Sequence, residues 1–392
     1  MTWRILWVLL ALHGAVACTG ADAGPALSRM TDSAGVAIVL GQATDVPLSW
    51  TLTEIRRLGG ADSGAQAFTR VSPLTVATNG RDRVAVLDWD AGNRIHLFDA
   101  TGEWIRSIGG KGGGPGEMQE AQGLAMSVSG RITVHDFMKG ALLRWEADGT
   151  LMPEARIPTH RGHPATPPMQ RGDTMFVTIE TADTSMRIRR LERWTSADTI
   201  ALDSTAGPRP KMVMFACIGM SMPPLFTGEI TWALGAGTVA STKQSHYVVD
   251  IREGTRLVRS VRRAITPVVA KAADASKVYP EGVKVRFGAG NECVIASAEF
   301  GEKVGVAPTI PVVRAMAFAP DGALWVERFT FEGETPATDV FDPEGRYLGT
   351  LVGRSLPLGF LGPDIALFPI TNADDGTSAL GFYRIERTPA KP

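Results

Sequence analysis

The feature that most limits what this chain can become is a loosely repeated unit. Residues 79–110 read NGRDRVAVLDWDAGNRIHLFDATGEWIRSIGG, residues 129–157 read SGRITVHDFMKGALLRWEADGTLMPEARI, and residues 321–353 read DGALWVERFTFEGETPATDVFDPEGRYLGTLVG. Each copy opens on a turn dipeptide (Asn79-Gly80, Ser129-Gly130, Asp321-Gly322) and runs into an apolar strand. After a variable loop it closes with a strand, a glycine turn at Gly102, Gly149 or Gly345, and a final strand. Val84 and Val86, like Ile95 and Leu97, fall on one side of a period of two, while Arg83, Asp88 and His96 alternate with them or end the runs. The step from Val84 to Ile132 is about 48 residues, which suits a four-stranded propeller blade of roughly 40–50.

Two weaker copies lie in the middle. One contains TMFVTIE and MRIRRLERW; the other joins EITWALGAGTVAS to HYVVDIREGTRLVRSVRR. A last, partial copy, DIALFPITNADDGTSALGFYRIE, lacks strands that the N-terminal segments GVAIVL (35–40) and WTLTEIRRLGG (50–60) can supply. The expectation is an all-β chain: a six-bladed β-propeller of four-stranded antiparallel blades over 32–387, closed by N-terminal strands. Such a ring leaves no long exposed sheet edge. Residues 264–310 carry no blade punctuation and are read as an insertion; a seventh, degenerate blade is the alternative. The 43 glycines and 25 prolines agree with many short strands joined by turns.

The chain begins MTWRILWVLLALHGAVAC. Arg4, the apolar run Ile5 to Leu12 and the small residues Ala15-Val16-Ala17 form a signal-peptide pattern over 1–17, too short for the about 20 residues that span a bilayer. Cys18 follows directly. The junction resembles the lipobox of bacterial lipoproteins, with Ala15 where leucine is usual. Acylation of Cys18 and plain cleavage leaving a free thiol are both open; the first is favoured, with 18–31 as a tether and 388–392 as a tail. The other cysteines, Cys217 and Cys293, either pair or stay as separate buried thiols. Lys and Arg (40) nearly cancel Asp and Glu (41), which removes the electrostatic case for nucleic acid or an anionic membrane surface.

The stretch GGKGGGPGE (109–117) raises the question of a phosphate loop. A Walker-type loop needs its lysine near the end, followed by Ser or Thr and a helix. Here Lys111 stands at the front and Glu117 would repel phosphate, so the stretch is read as the corner between the first two blades.

FDATGEWIRSIGGKGGGPGEM followed by GLAMSVSGRITVHD resembles the NHL-type repeat. The segment DSAGV (32–36), the GPGE junction, YVVDIREGTRLVRSVRR and DGALWVERF…DVFDPEGRYLG resemble a family of bacterial exported six-bladed β-propeller proteins of unknown function with a lipoprotein-like start. DAGNR (90–94) is one residue short of the repeat's D-x-x-N-x-R, and Met118 replaces its phenylalanine. The resemblance implies a fold and carries no reaction with it.

Candidate site residues are sought before the inner strands, one for each blade: Arg70, Gln122, His163, Glu229, Arg314 and Asp364. The set mixes signs and offers a poor cage for calcium, which takes six to eight oxygens. His160 and His163 with Asp364 could in principle bind a metal, and solvated loop residues are the simpler account of them. Asp88 and Asp136, which end equivalent strands, are read as turn caps. Trp104, Trp145 and Trp325 are read as packing. No G-x-S-x-G elbow exists; GMSMP (219–223) does not fit.

The functional expectation is an exported envelope protein, periplasmic or lipid-anchored, that binds a small molecule or an envelope partner at the channel mouth. It is read as a monomer that meets the membrane only through its anchor, with no cofactor and no catalytic residue. The alternative is a lactonase-like hydrolase or lyase that uses a divalent metal at the channel.

Overall fold

The computed structural model describes residues 27–387 except 62, 69, 90–91, 157–162, 165–167, 172–173, 183–185, 195–198, 229, 288–290 and 372–375. The signal segment, Cys18, the first part of the tether, the tail, His160 and Glu229 therefore lie outside the described residues.

Six antiparallel sheets stand around one axis. Their inner strands are Val76–Thr78, Ala121–Met126, Met169–Arg171, Thr231–Leu234, Val313–Phe318 and Gly359–Leu361. Each sheet, here called a blade, continues outward in chain order, except that N-terminal strands lie on the outer edges of the fourth and sixth. In the third blade two short pieces, His163–Pro164 and Met169–Arg171, share the inner edge of the long strand Thr174–Ala182.

The second strands show why the units fold this way. Val84, Ala85, Val86 and Leu87 are all buried, as are all of Ile132–Asp136. These strands lie between neighbouring blades and so bury both faces, and the alternation read from the sequence does not hold there. His96, expected to alternate outward, is also buried; its Nδ1 lies 2.7 Å from Ser107 Oγ and its Nε2 3.8 Å from Asp88. Apolar clusters bridge every adjacent pair of blades. Leu87 and Leu124 join the first and second, Leu142 and Val177 the second and third, and Phe176 and Trp232 the third and fourth. Tyr247 and Phe341 continue between the fourth and fifth, Trp325 and Phe368 between the fifth and sixth, and Phe98 with Phe382 closes the circle. Trp145 and Trp325 pack as expected, but Trp104 is exposed on the rim, where the outermost strand of the first blade has one free face.

The N-terminus closes the ring, with one correction to the expected pairing. Thr51–Leu58 is the outer strand of the sixth blade and runs antiparallel to Ser378–Glu386. Residues 35–40 do not join that blade. They belong to a hairpin, Ser28–Ser33 with Val36–Gly41, whose second strand lies parallel to Arg256–Arg263 on the outer edge of the fourth blade. The sixth blade already has four strands with Thr51–Leu58, whereas the fourth offers an open edge. Residues 42–48 then strap the fourth blade to the fifth, where Leu48 N–H donates to Thr350 O (3.0 Å) and Thr350 N–H to Val46 O (2.8 Å).

The glycine stretch is a corner. It leads from Trp104–Gly109 to the inner strand Ala121–Met126, and Gly109 turns at φ +74°. Met118 is fully buried in the cluster between the first two blades, doing there the packing of the absent phenylalanine. Gly114 N–H, a donor that a phosphate loop would offer an anion, donates instead to Glu117 Oε2 at 2.8 Å.

Two excursions leave the ring. Residues 209–228 form a hairpin, Lys211–Met214 with Gly219–Met222, that the sequence reading did not separate from the blades. The expected insertion holds the hairpin Val283–Phe287 with Asn291–Ile295 and the helix Ser297–Val304, and among the described residues it adds no strand to a blade. The two excursions share a core around Phe215, Ile295 and Phe300, with the Phe215 and Phe300 rings stacked at 5.6 Å. A disulfide joins Cys217 to Cys293, their Cα atoms 6.0 Å apart.

Candidate functional site

Successive strands in a blade run in opposite directions, so the ring has two unlike faces. One carries the segments that lead into the inner strands and the loops between second and third strands; the other carries the remaining turns. Arg70 and Gln122 are exposed near the start of the first two inner strands on the leading face, and Gln122 Nε2 donates to Glu120 Oε1 at 3.0 Å. The His163 backbone lies at the inner edge of the third blade. Arg314 is exposed on the inner strand of the fifth, 3.9 Å from Glu327.

Asp364 departs from this set. The inner strand of the sixth blade is Gly359–Leu361, so Asp364 follows it and lies on the opposite face. There it pairs with Arg387 (2.5 Å), which also holds Asp321 (2.9 Å) and lies over the Trp50 ring. The metal reading weighed for the two histidines with Asp364 therefore finds Asp364 on the face away from the His163 backbone, while His160 lies outside the described residues. Asp136 caps its turn, accepting the N–H groups of Gln119 (2.7 Å), Glu120 (3.3 Å) and Lys139 (3.0 Å). Among the described residues, no group of three or more His, Cys, Asp or Glu is placed to hold a metal ion.

The leading face instead carries an aromatic hollow beside Arg314. Three separated segments build it. The fifth-blade loop supplies Phe329 and Phe331, the first excursion supplies Phe226, and the insertion supplies Lys277. The three rings meet edge to face, with centroids 5.4 Å (Phe329–Phe331), 6.0 Å (Phe226–Phe331) and 6.5 Å (Phe226–Phe329) apart. This is the arrangement that ring quadrupoles favour. Phe226 is held at φ +61°, a left-handed conformation costly for a side chain of that size. Lys277 Nζ lies 4.7 Å from the Phe331 centroid and the Arg314 guanidinium 5.9 Å from that of Phe329.

The adjoining cavity measures about 410 Å³ and is lined by Phe329, Phe331, Ile265, Val268 and Ile310, with Lys277 and Glu334 at its polar side. Charges around it are largely matched. Lys277 pairs with Asp274 (3.0 Å), and Glu334 Oε2 accepts the Phe331 N–H (2.9 Å). Beneath Arg314, burial pushes the Glu327 carboxyl above its ordinary range, with the guanidinium acting in the opposite direction. Nothing in the repeat pattern marked Phe226 or Lys277, because they come from the two segments outside it. A second hollow, between the third and fourth blades, is lined by Asp203, Asp250 and Arg252, the guanidinium lying 3.9 Å from the first carboxylate and 3.8 Å from the second.

A family model described as a 6-bladed beta-propeller, DUF5128, matches residues 69–189, the first two blades and part of the third. The chain is a six-bladed β-propeller. A Bacteroides fragilis protein whose name describes it as exported superposes with a TM-score of 0.50 at 14% identity, over 89% of this chain and 99% of that one. A member of the DUF4221 family from Bacteroides vulgatus gives 0.51 at 9% identity, over 86% and 99%. At these identities the likeness is one of fold. No curated protein sequence matches this propeller.

Proposed function

We propose that this propeller is an exported envelope protein, lipid-anchored at Cys18 and monomeric, that binds a ligand or partner group through the aromatic hollow of its leading face. The observation that carries the reading is a cavity lined by Phe329, Phe331 and Lys277, with Phe226 packed edge to face against both rings and the Arg314 guanidinium near the Phe329 ring. Such a hollow suits an apolar, ring-bearing body with a single acidic group. The body replaces water against the phenylalanines, and the acid draws Lys277 or Arg314 from its partner. Export is supported by the signal pattern and by the Cys217–Cys293 bond, since disulfides persist in oxidising compartments.

The binding test is titration with 1-anilinonaphthalene-8-sulfonate, an aromatic anion that fluoresces on leaving water. One saturable site is expected in the parent, lost in Phe329→Ala/Phe331→Ala while the far-ultraviolet circular dichroism is unchanged. Equal binding by the double variant would remove the hollow from consideration. The anchor is tested separately by growing cells with labelled palmitate: label on the parent and none on Cys18→Ser is expected, and an unlabelled parent would refute lipidation.

A further inference from the structure

In the first excursion's hairpin, Met212 stands opposite Ser221 and Met214 opposite Gly219. Residues two apart on a strand share a face. Val213, Met220 and Met222 therefore share the other face, which packs on the core of the two excursions. Met212 and Met214 are left in water, 66% and 65% exposed.

The two exposed side chains are not splayed outward. A Cβ placed on Gly219 would lie 2.8 Å from Met214 Sδ and 3.3 Å from Met212 Sδ. Both thioethers are thus turned to one point above the glycine, and the missing side chain keeps that point open. Small rotations about the flexible ends of the two methionines are enough to set their sulfurs around a single ion.

We infer that Met212 and Met214 form a surface site for a soft monovalent cation, Cu(I), with Ag(I) as its redox-inert counterpart. Thioether sulfur is a soft, uncharged donor, and such ligands select Cu(I) over hard oxygen-seeking ions. Each sulfur donates one lone pair; no proton leaves and no electron is transferred. The Lys303 ammonium, which donates to the Met214 carbonyl at 3.3 Å and pairs with Glu299 at 2.9 Å, brings no anionic ligand to the sulfurs. Selection therefore falls to the sulfurs. The site is independent of the aromatic hollow and does not rest on it.

The test uses the full chain carrying Cys18→Ser, which leaves no free thiol because Cys217 and Cys293 are bonded. Ag(I) is titrated by calorimetry and followed through the methyl resonances of 13C-methyl methionine. Expected are one bound ion and two methyl signals that move together, both missing from the spectrum of Met212→Leu/Met214→Leu. Affinity should fall about tenfold or more in that variant, and equally in Gly219→Ala, whose methyl group occupies the point between the sulfurs. Cu(I) in competition with a chromophoric chelator should follow the same order, and Met138→Leu, at another exposed methionine, should behave as the parent. A smaller loss in the double variant would overturn the inference. So would one equivalent of Ag(I) that moves neither signal, or that moves the Met138 methyl equally.

Discussion

Replacing Arg263 by methionine tests whether the N-terminal strap is fastened by charge or by shape. The guanidinium is wholly buried. Its Nη1 lies 2.8 Å from Asp339 Oδ2, itself wholly buried, and its Nη2 3.0 Å from Asp45 Oδ1. Its Nε donates to Gln42 O (2.8 Å) and Nη2 to Thr44 O (3.0 Å), while the Tyr347 ring lies 4.3 Å below. Methionine fills much of the volume but leaves the Asp339 carboxylate with Thr350 Oγ1 (2.6 Å), the buried Tyr247 hydroxyl and the more distant Arg328 (3.8 Å), none of which restores the close cation. Stranding one member of a buried pair costs about 3–5 kcal/mol. The strap carbonyls can turn to water once released, so they add little to that figure. Arg263→Met/Asp339→Leu removes the stranded charge too and should recover most of the loss, because apolar replacement of a whole buried pair is often neutral.

Urea unfolding followed by tryptophan fluorescence reads the stability, and limited proteolysis reads the strap, with new cleavage expected within 42–48 while the blades stay protected. A single variant within about 1 kcal/mol of the parent, or a double variant no better than the single one, would refute the reasoning. The same cluster sets a pH dependence. Burial alone would raise the Asp45 carboxyl, but Arg328 and Arg263 outweigh it and hold the group below its ordinary range. Its contribution is therefore complete above the unfolded carboxylate value near ~3.9 and disappears as pH falls through the lower folded value, so Asp45→Asn should differ from the parent at neutral pH and converge with it in acid.

Glu327→Gln should stabilise the protein at neutral pH. Burial raises this carboxyl in the folded state, so the ionised form weakens folding, and the gain should vanish below the unfolded value near ~4.3; urea midpoints at two pH values measure it. Removing the disulfide as Cys217→Ser/Cys293→Ser opens a cross-link between residues 76 apart in sequence. A loss of about 4 kcal/mol is expected, confined to the excursions. Hydrogen exchange should quicken across 283–304 and stay unchanged in the blade strands; equal quickening in the blades would show that the excursions support the ring.

Much of the ring was legible because its signals are local. Asn79-Gly80, Ser129-Gly130 and Asp321-Gly322 each end an inner strand, and the buried second strand follows within a few residues. Thr51–Leu58 could be assigned to the sixth blade because the final copy visibly lacked an outer strand. The parallel pairing of Val36–Gly41 with Arg256–Arg263 could not, since an apolar strand suits any open edge and its partner lies over two hundred residues away. Asp364 was misplaced for a related reason: Gly359–Leu361 is only three residues long and carries no alternation to reveal it as an inner strand. The aromatic hollow was hidden because Phe226, Lys277 and Phe331 meet only through two segments that belong to no repeat. The cysteines gave two open readings because the spacing of two residues in sequence says nothing of their separation in space.

The pairing of Thr51–Leu58 with Ser378–Glu386 sets an order of events for the whole polypeptide. A nascent chain halted before residue 378 has most of its strands but nowhere to dock Thr51–Leu58, so a strand made early must wait for the last one. Circularity thus postpones cooperative folding until synthesis is almost finished. Transferring residues 51–58 to the far end of the gene would abolish that wait, turning the outermost strand into a simple hairpin continuation.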